Sequence, residues 1–80
     1  MDEQELRGTL TEIFQIVLDL PDNTKMDKVR QINSHSWDSL AQVSLISAME
    51  SEFGLSLDSD DRERLTSFAG ALLLLQEKIR

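Results

Sequence analysis

Apolar residues recur every three or four positions in three separate stretches of this chain, which restricts it to a helical fold. The chain has 80 residues and no Cys, so it can form one small core without a disulfide framework. The recurring apolar positions are Leu6, Leu10, Ile13, Phe14 and Val17, then Val43, Leu45, Ile46, Met49 and Phe53, and finally Phe68, Leu72, Leu75 and Ile79.

The boundaries of the helices follow from capping and breaking residues. The first helix is predicted to begin in the acidic turn 2–5 and to end near Leu20, before the only Pro. The second is predicted over 39–53, with Gly54 just past its end. A mostly charged stretch, 59–65, has room for only one or two turns. We therefore predict a single all-α domain over residues 1–80, a four-helix bundle with three long helices and a short third helix.

Caps and connections complete this prediction. Ser59 is the predicted N-cap of the third helix, and Thr66 or Ser67 that of the fourth, which runs to Ile79. Residues 55–57 form a short extended link. The long connection 21–37 lacks helical periodicity, and such a connection is usually functional or loosely ordered. Its predicted apolar anchors are Met26, Val29 and Ile32.

The inward stripes of the three long helices predict the core. Beside them, Leu73 and Leu74 include at least one side chain beyond the core stripe of the last helix, either as extra burial or as a partner contact. The residues predicted to be mostly buried are Leu10, Phe14, Leu45, Met49, Phe53, Phe68, Leu72 and Leu75.

The charge of the chain restricts its partners. Acids outnumber bases by 15 to 8, and the formal net charge is -7. This charge repels nucleic acid and anionic membranes at long range and favours basic partners. No signal peptide is recognised, and no apolar run is long enough to span a bilayer. We expect a soluble, cytoplasmic monomer that neither binds nucleic acid nor inserts into membranes.

Ordinary catalysis has few candidate residues here. His35 is the only imidazole, and we expect it to be solvated in the long connection, four residues before Ser39. The pair Asp60 and Asp61 is explained by a helix start, and the pair Glu50 and Glu52 by a solvent-facing helix surface. The sequence therefore predicts no catalytic residue and no metal site.

Ser39 differs from the other serines in its setting. If Asp38 caps the second helix, Ser39 becomes its first residue, with its hydroxyl beside unpaired backbone N–H groups. These donors and the helix dipole would stabilise a phosphate ester on Ser39. Asp and Ser are also the commonest capping residues, so the local sequence leaves open whether this is only a capping pair.

The stretch around Ser39 resembles the acyl carrier protein family. Asp38-Ser39-Leu40 matches the motif that opens the second helix in that family, and the acidic segment ending in Phe53-Gly54 matches its close without a gap. The resemblance covers about residues 34 to 79 and implies a bundle of the acyl-carrier type. Further matching residues are Val43, Leu45, Ile46, Met49, Glu50, Glu52, Leu55, Leu57, Asp60, Asp61, Leu65, Thr66, Ser67, Phe68, Ala71, Leu72 and Leu75.

The resemblance implies a cofactor and a function. Ser39 would accept 4'-phosphopantetheine from coenzyme A through a phosphopantetheinyl transferase, and the cofactor thiol would carry acyl groups as thioesters. Asp38 would match the acid associated with the transferase's magnesium, and Leu40 an apolar contact. The implied protein catalyses no reaction itself and serves fatty-acid, polyketide or another specialised acyl-transfer pathway, where acyl-loading and acyl-processing enzymes meet it through basic surface patches.

The resemblance also implies contact sites. Partner-binding residues would be Val43, Ser47, Glu50 and Glu52. The gap between the second and third helices is the implied acyl pocket. Its residues would be Val43, Ile46, Leu57, Leu65 and Ala71.

Three departures from the resemblance matter. Ala41 and Ser44 stand where well-known fatty-acid carriers have acids, so steering of basic partners is weaker and a dedicated pathway is indicated. Trp37 matches a form associated with stand-alone carriers of specialised or surface-glycan pathways, or it simply packs beneath the loop, which we favour. The chain lacks Gly-Gly before Ser39, which disfavours a peptidyl or aminoacyl carrier. The same residues also fit a small acidic helical interaction domain without a prosthetic group or, less well, a small hydrolase using Ser39.

Overall fold

The computed structural model describes residues 2–79 and contains four α-helices within that range. They are α1 (Glu3–Leu18), α2 (Ser39–Phe53), α3 (Ser59–Arg64) and α4 (Phe68–Ile79). The prediction of a helical bundle with three long helices and a short third one is confirmed. Within the described range no helix is both long and apolar enough to cross a membrane.

Local capping explains where the helices begin and end. Asp2 accepts a hydrogen bond from the backbone N–H of Glu5 at the start of α1, and Asp19 ends that helix in the left-handed conformation. The helix therefore stops at Leu18, two residues before the predicted end. Ser67 caps α4 by accepting from the N–H of Gly70 at 2.9 Å. The predicted cap Ser59 is wrong, because Asp58 precedes it and forms a reciprocal capping box with Asp61.

One hydrophobic core fills the space between α1, α2 and α4. Six of the eight predicted core residues are fully buried, and Phe14 lies at the centre with Trp37 and Phe68 edge-on at ring-centroid distances of 5.4 and 5.3 Å. Phe53 and Leu72 are only half-buried and pack against the margin of the core. Leu74 instead takes the buried position in α4, while Leu73 is 54% exposed. The register of α4 against its neighbours turns Leu72 toward the edge.

The long connection is ordered by contacts with the rest of the chain. It contains two short 3-10 helices, Met26–Lys28 and Gln31–Asn33. Met26 and Val29 are buried as predicted, whereas Ile32 is 92% exposed and is therefore not an anchor. An isolated antiparallel bridge joins Arg30 to Ser67, just before α4. This bridge fixes the middle of the connection against the α3–α4 junction.

Candidate functional site

Ser39 is exposed at the first position of α2, as the sequence predicts. The carboxylate of Asp38 accepts a hydrogen bond from the N–H of Ala41 at 2.8 Å, and the carbonyl of Asp38 accepts from the N–H of Gln42 at 2.9 Å. Within residues 2–79, the N–H groups of Ser39 and Leu40 have no protein acceptor. The first turn of α2 thus keeps two free donors beside the Ser39 hydroxyl.

The segment before Ser39 is held firmly against α1. The hydroxyl of Ser36 donates to the carbonyl of Leu18 at 2.8 Å, at the end of α1. Trp37 is only 3% exposed, and its ring lies edge-on to Phe14. The expectation that Trp37 packs beneath the loop is therefore confirmed. These contacts hold in place the segment that leads to the exposed hydroxyl of Ser39.

Two successive hydrogen bonds connect Trp37 to α3. The indole N–H of Trp37 donates to the side-chain oxygen of Gln42 at 2.6 Å, and the amide nitrogen of Gln42 donates to the carbonyl of Arg62 at 3.2 Å. Gln42 was not singled out by the sequence, since a glutamine in a helix carries no signal of such pairing. It couples the start of α2 to the last turn of α3.

The outer face of α2 is uncharged next to Ser39. No residue from 39 to 49 is charged, although 29% of the chain is Asp, Glu, Lys or Arg. Leu40 and Val43 are 75% and 59% exposed, and Ser44 and Ser47 beside them are also exposed. A partner approaching Ser39 along α2 would therefore meet apolar side chains and hydroxyl groups.

The two acids at the far end of α2 have different settings. Glu52 is exposed, as a partner-binding residue must be. Glu50 is half-buried, and its carboxylate accepts a hydrogen bond from the backbone N–H of Leu57 at 2.8 Å. Glu50 thus fastens the α2–α3 link to α2, and only Glu52 offers a free carboxylate at this end.

The residues of the predicted acyl pocket fall into two groups. Ile46, Leu57, Leu65 and Ala71 are all buried in the hydrophobic core, with exposures of 8% or less. Val43 lies apart from them on the outer face of α2. The buried group provides an apolar region, and any guest chain would have to displace part of the existing packing.

Two ion pairs fasten α3 to α4. The carboxylate of Asp61 lies 2.8 Å from the ammonium of Lys78, and Arg64 pairs with Glu77. The hydrogen bond from Lys78 lowers the pKa of Asp61, and the same bond raises the pKa of Lys78. Asp61 is 5% exposed, so its position reflects this pairing as well as the helix start that the sequence suggested.

The remaining polar candidates are His35 and the acidic side chains. His35 is exposed, which confirms its predicted solvation. Within residues 2–79, no group of three or more His, Asp or Glu side chains is placed to hold a metal ion.

No protein-family model matches this chain. No curated protein matches it with significant similarity.

Proposed function

We propose that this chain is a carrier protein whose Ser39 holds a 4'-phosphopantetheine arm. The observation that carries the proposal is the exposed Ser39 hydroxyl beside two free N–H donors at the start of α2. The resemblance of the stretch from Asp38 to Gly54 to acyl carrier proteins supports the same assignment. The fold of residues 2–79, in which α1, α2 and α4 are long and α3 is short, agrees with a bundle of that type.

The residues at the start of α2 fit the phosphate of such an arm. In the attachment reaction, the Ser39 oxygen forms a bond to the phosphorus bearing pantetheine, while the phosphorus bond to the nucleotide part of coenzyme A breaks. A base of the transferase takes the hydroxyl proton. The free N–H groups of Ser39 and Leu40 can then donate to the phosphodiester, and the helix dipole favours its negative charge.

In this proposal the chain itself catalyses no reaction. The attached group would supply a thiol that carries acyl groups as thioesters. Ser39 serves as the anchor, Asp38 keeps the helix start in place, and Leu40 and Val43 present apolar contacts to partner enzymes. The neutral face of α2 makes apolar contact the main contribution close to Ser39, with Glu52 left to meet a basic group at the far end.

Modification of Ser39 is tested directly by mass. The protein is incubated with coenzyme A, Mg²⁺ and a phosphopantetheinyl transferase of broad specificity, and its intact mass is measured. We expect the native chain and Ser44→Ala to gain one phosphopantetheine group, and Ser39→Ala to gain none. Ser44 is a matched control because it is another exposed serine of α2.

Ser39→Ala should fold normally, since Ser39 is exposed and the Asp38 cap remains, and circular dichroism checks this. An unmodified native chain would favour an acidic interaction domain in which Asp38 and Ser39 only cap a helix. A mass gain in Ser39→Ala would place the attachment elsewhere.

A second prediction concerns the cargo and assumes attachment at Ser39. A medium-length acyl chain is expected to leave water for the buried region of Ile46, Leu57, Leu65 and Ala71, because burial of each CH₂ contributes about 0.8 kcal/mol. NMR spectra of the acyl form should then differ from those of the unacylated form at these residues. We also expect slower amide exchange in α3, because the buried residues Leu57 and Leu65 flank it in the chain. Changes confined to the neighbours of Ser39 would mean that the acyl chain stays in solvent.

A further inference from the structure

Gln42 is a half-buried residue of α2, and both ends of its side-chain amide are hydrogen-bonded. Its oxygen accepts from the indole N–H of Trp37, and its nitrogen donates to the carbonyl of Arg62. An amide carries its acceptor and its donors on separate atoms, so it can hold two such partners at once. Because one partner donates and the other accepts, they also fix the direction in which the amide points.

The Trp37 end of this side chain is anchored in the core. Trp37 is buried, and its ring lies edge-on to that of Phe14. Its backbone N–H donates to the carbonyl of Ser34 at 3.1 Å. A close-packed aromatic side chain cannot turn without disturbing its neighbours. The indole N–H is therefore a fixed donor that keeps the amide of Gln42 in position.

The carbonyl of Arg62 has a second partner at the end of α3. It accepts from the backbone N–H of Leu65 at 3.2 Å, and Leu65 is fully buried. A carbonyl oxygen has two lone pairs, so it can receive both this bond and the bond from Gln42. Movement of α3 away from α2 would break the bond to Gln42 and pull on the residue that anchors the end of α3 in the core.

The contact made by Gln42 holds α3 from the side of α2. Within residues 2–79, its bond to the carbonyl of Arg62 is the only hydrogen bond between α2 and α3, whereas two ion pairs join α3 to α4. With six residues, α3 is too short to be stable through its own backbone hydrogen bonds. Loss of the Gln42 contact would leave α3 attached to α4 and free to move away from α2.

We propose that the bond between Gln42 and Arg62 controls the opening of α3 and, with it, the entry of an apolar chain into the core. When this bond breaks, α3 stays on α4 and moves from α2, and the buried residues Leu57 and Leu65 that flank it in the chain are drawn out of the core. The role of this opening in sheltering an acyl cargo rests on the proposed function, whereas the opening itself does not require Ser39 to be modified.

Amide hydrogen exchange of the unmodified protein tests the opening. Gln42→Met keeps a side chain of similar length and removes both hydrogen bonds of the amide. We expect the amides of residues 61–65 to exchange about fivefold faster, the change for the loss of one ordinary hydrogen bond. Circular dichroism checks that the variant is folded. Unchanged exchange at these amides would overturn the proposal.

Gln76→Met is the matched control. The side-chain amide of Gln76 donates to the carboxylate of Glu3 at 2.8 Å, so its bond joins α4 to α1 and stays formed when α3 opens. This variant should lower the free energy of global unfolding without accelerating exchange at residues 61–65, because those amides exchange through a local opening. Equal acceleration in Gln42→Met and Gln76→Met would indicate a general loss of stability and contradict the proposal.

The indole N–H of Trp37 reports the state of Gln42 directly, since the chain has only one Trp. Its NMR signal should exchange slowly with water in the native chain and in Gln76→Met. In Gln42→Met the signal should shift upfield and exchange faster, because the acceptor of the indole N–H is lost. An identical indole signal in all three proteins would show that the bond between Trp37 and Gln42 is not formed.

Binding of octanol, a neutral molecule with an apolar chain, tests entry into the core. A ligand that enters only the open form has an apparent affinity proportional to the population of that form. Gln42→Met should therefore bind octanol about fivefold more tightly than the native chain, with NMR shifts at Leu57 and Leu65. Gln76→Met should bind it as the native chain does. Equal affinity in all three proteins, or shifts confined to exposed Leu40 and Val43, would exclude control of entry by Gln42.

Discussion

Two single residues end α1 and α2 in the same backbone conformation. Asp19 and Gly54 have φ values of 53° and 63°, in the left-handed region where a Cβ is unfavourable. A Cβ placed on Gly54 would meet no atom within 4 Å. A substitution there changes the backbone preference without creating a steric clash.

Gly54→Ala is therefore expected to lower the free energy of unfolding by about 1 kcal/mol, the lower end of the penalty for an L-residue in this conformation. Urea denaturation measures the change. No loss of stability would contradict the backbone conformation assigned to Gly54 at the end of α2.

Asp19 combines the left-handed conformation with an unfavourable charge. Its carboxylate lies at the C-terminal end of α1, where the helix dipole is negative. Asp19→Asn keeps a residue that tolerates this conformation and should raise the free energy of unfolding by about 0.5 kcal/mol at low salt. Asp22→Asn makes the same charge change in the connection and serves as the control. An equal gain in both variants would point to net charge rather than to the helix end.

At the scale of elements, α3 depends on its partners more than on its own length. It has only six residues, and an isolated helix of this size is not stable in water. The Asp58 and Asp61 capping box holds its start, while Lys78 and Glu77 of α4 hold two of its side chains. Buried Leu57 and Leu65 anchor its two flanks. These contacts resist the opening that sheltering an acyl chain would require.

The ion pair between Asp61 and Lys78 gives α3 a pH-dependent contribution. The pKa of Asp61 is lowered, so its contribution is present above the unfolded value of about 3.9 and is lost as pH falls through the folded pKa. The pKa of Lys78 is raised, so its contribution is present below about 10.4 and is lost as pH rises through the folded pKa. Both groups are charged near neutral pH.

Lys78→Met should therefore reduce the thermal unfolding temperature most between about pH 5 and 9. In this range both Asp61 and Lys78 are charged in the folded and in the unfolded chain. The difference from the native chain should shrink in more acidic and in more alkaline solution. Lys28→Met removes an exposed lysine that has no ion pair within residues 2–79, and it should not show this dependence. A constant difference at all pH values would exclude the ion pair as its cause.

At the scale of the whole molecule, Phe14 joins the three parts of the core. Its ring lies against Trp37, which precedes α2, and against Phe68, which begins α4. Phe14 is completely buried, whereas Phe53 is half-buried at the end of α2. The two phenylalanines therefore differ in how much packing each truncation removes.

Phe14→Ala should cost about 3–5 kcal/mol, a large share of the total stability of a small domain. Phe53→Ala should cost about half as much, because part of its ring already contacts water. Denaturant unfolding of both variants measures the ranking. A larger loss for Phe53→Ala would contradict the assignment of the core.

Features governed by neighbouring residues could be predicted from the sequence. Helical periodicity and local capping correctly predicted α2 over Ser39–Phe53, its Asp38 cap and the position of Gly54. Each depends on hydrogen bonds and backbone preferences within a few residues. The exposure of Ser39 followed from the same local reasoning, because a first helical residue beyond a long connection has few neighbours. Its proposed modification remains a prediction.

Features that depend on the placement of other helices needed the tertiary structure. Leu72 and Leu74 are equally apolar and belong to the same run, so only the crossing of α4 over its neighbours decided that Leu74 is buried. Tertiary contacts likewise brought the carboxylate of Glu50 within hydrogen-bond distance of the N–H of Leu57. They also linked Trp37 through Gln42 to α3. By itself the sequence determined which segments are helical and where Ser39 lies, because those are local properties. The tertiary structure alone decided which side chains face inward and which bases stay unpaired, because burial and ion pairing arise between residues far apart in the chain.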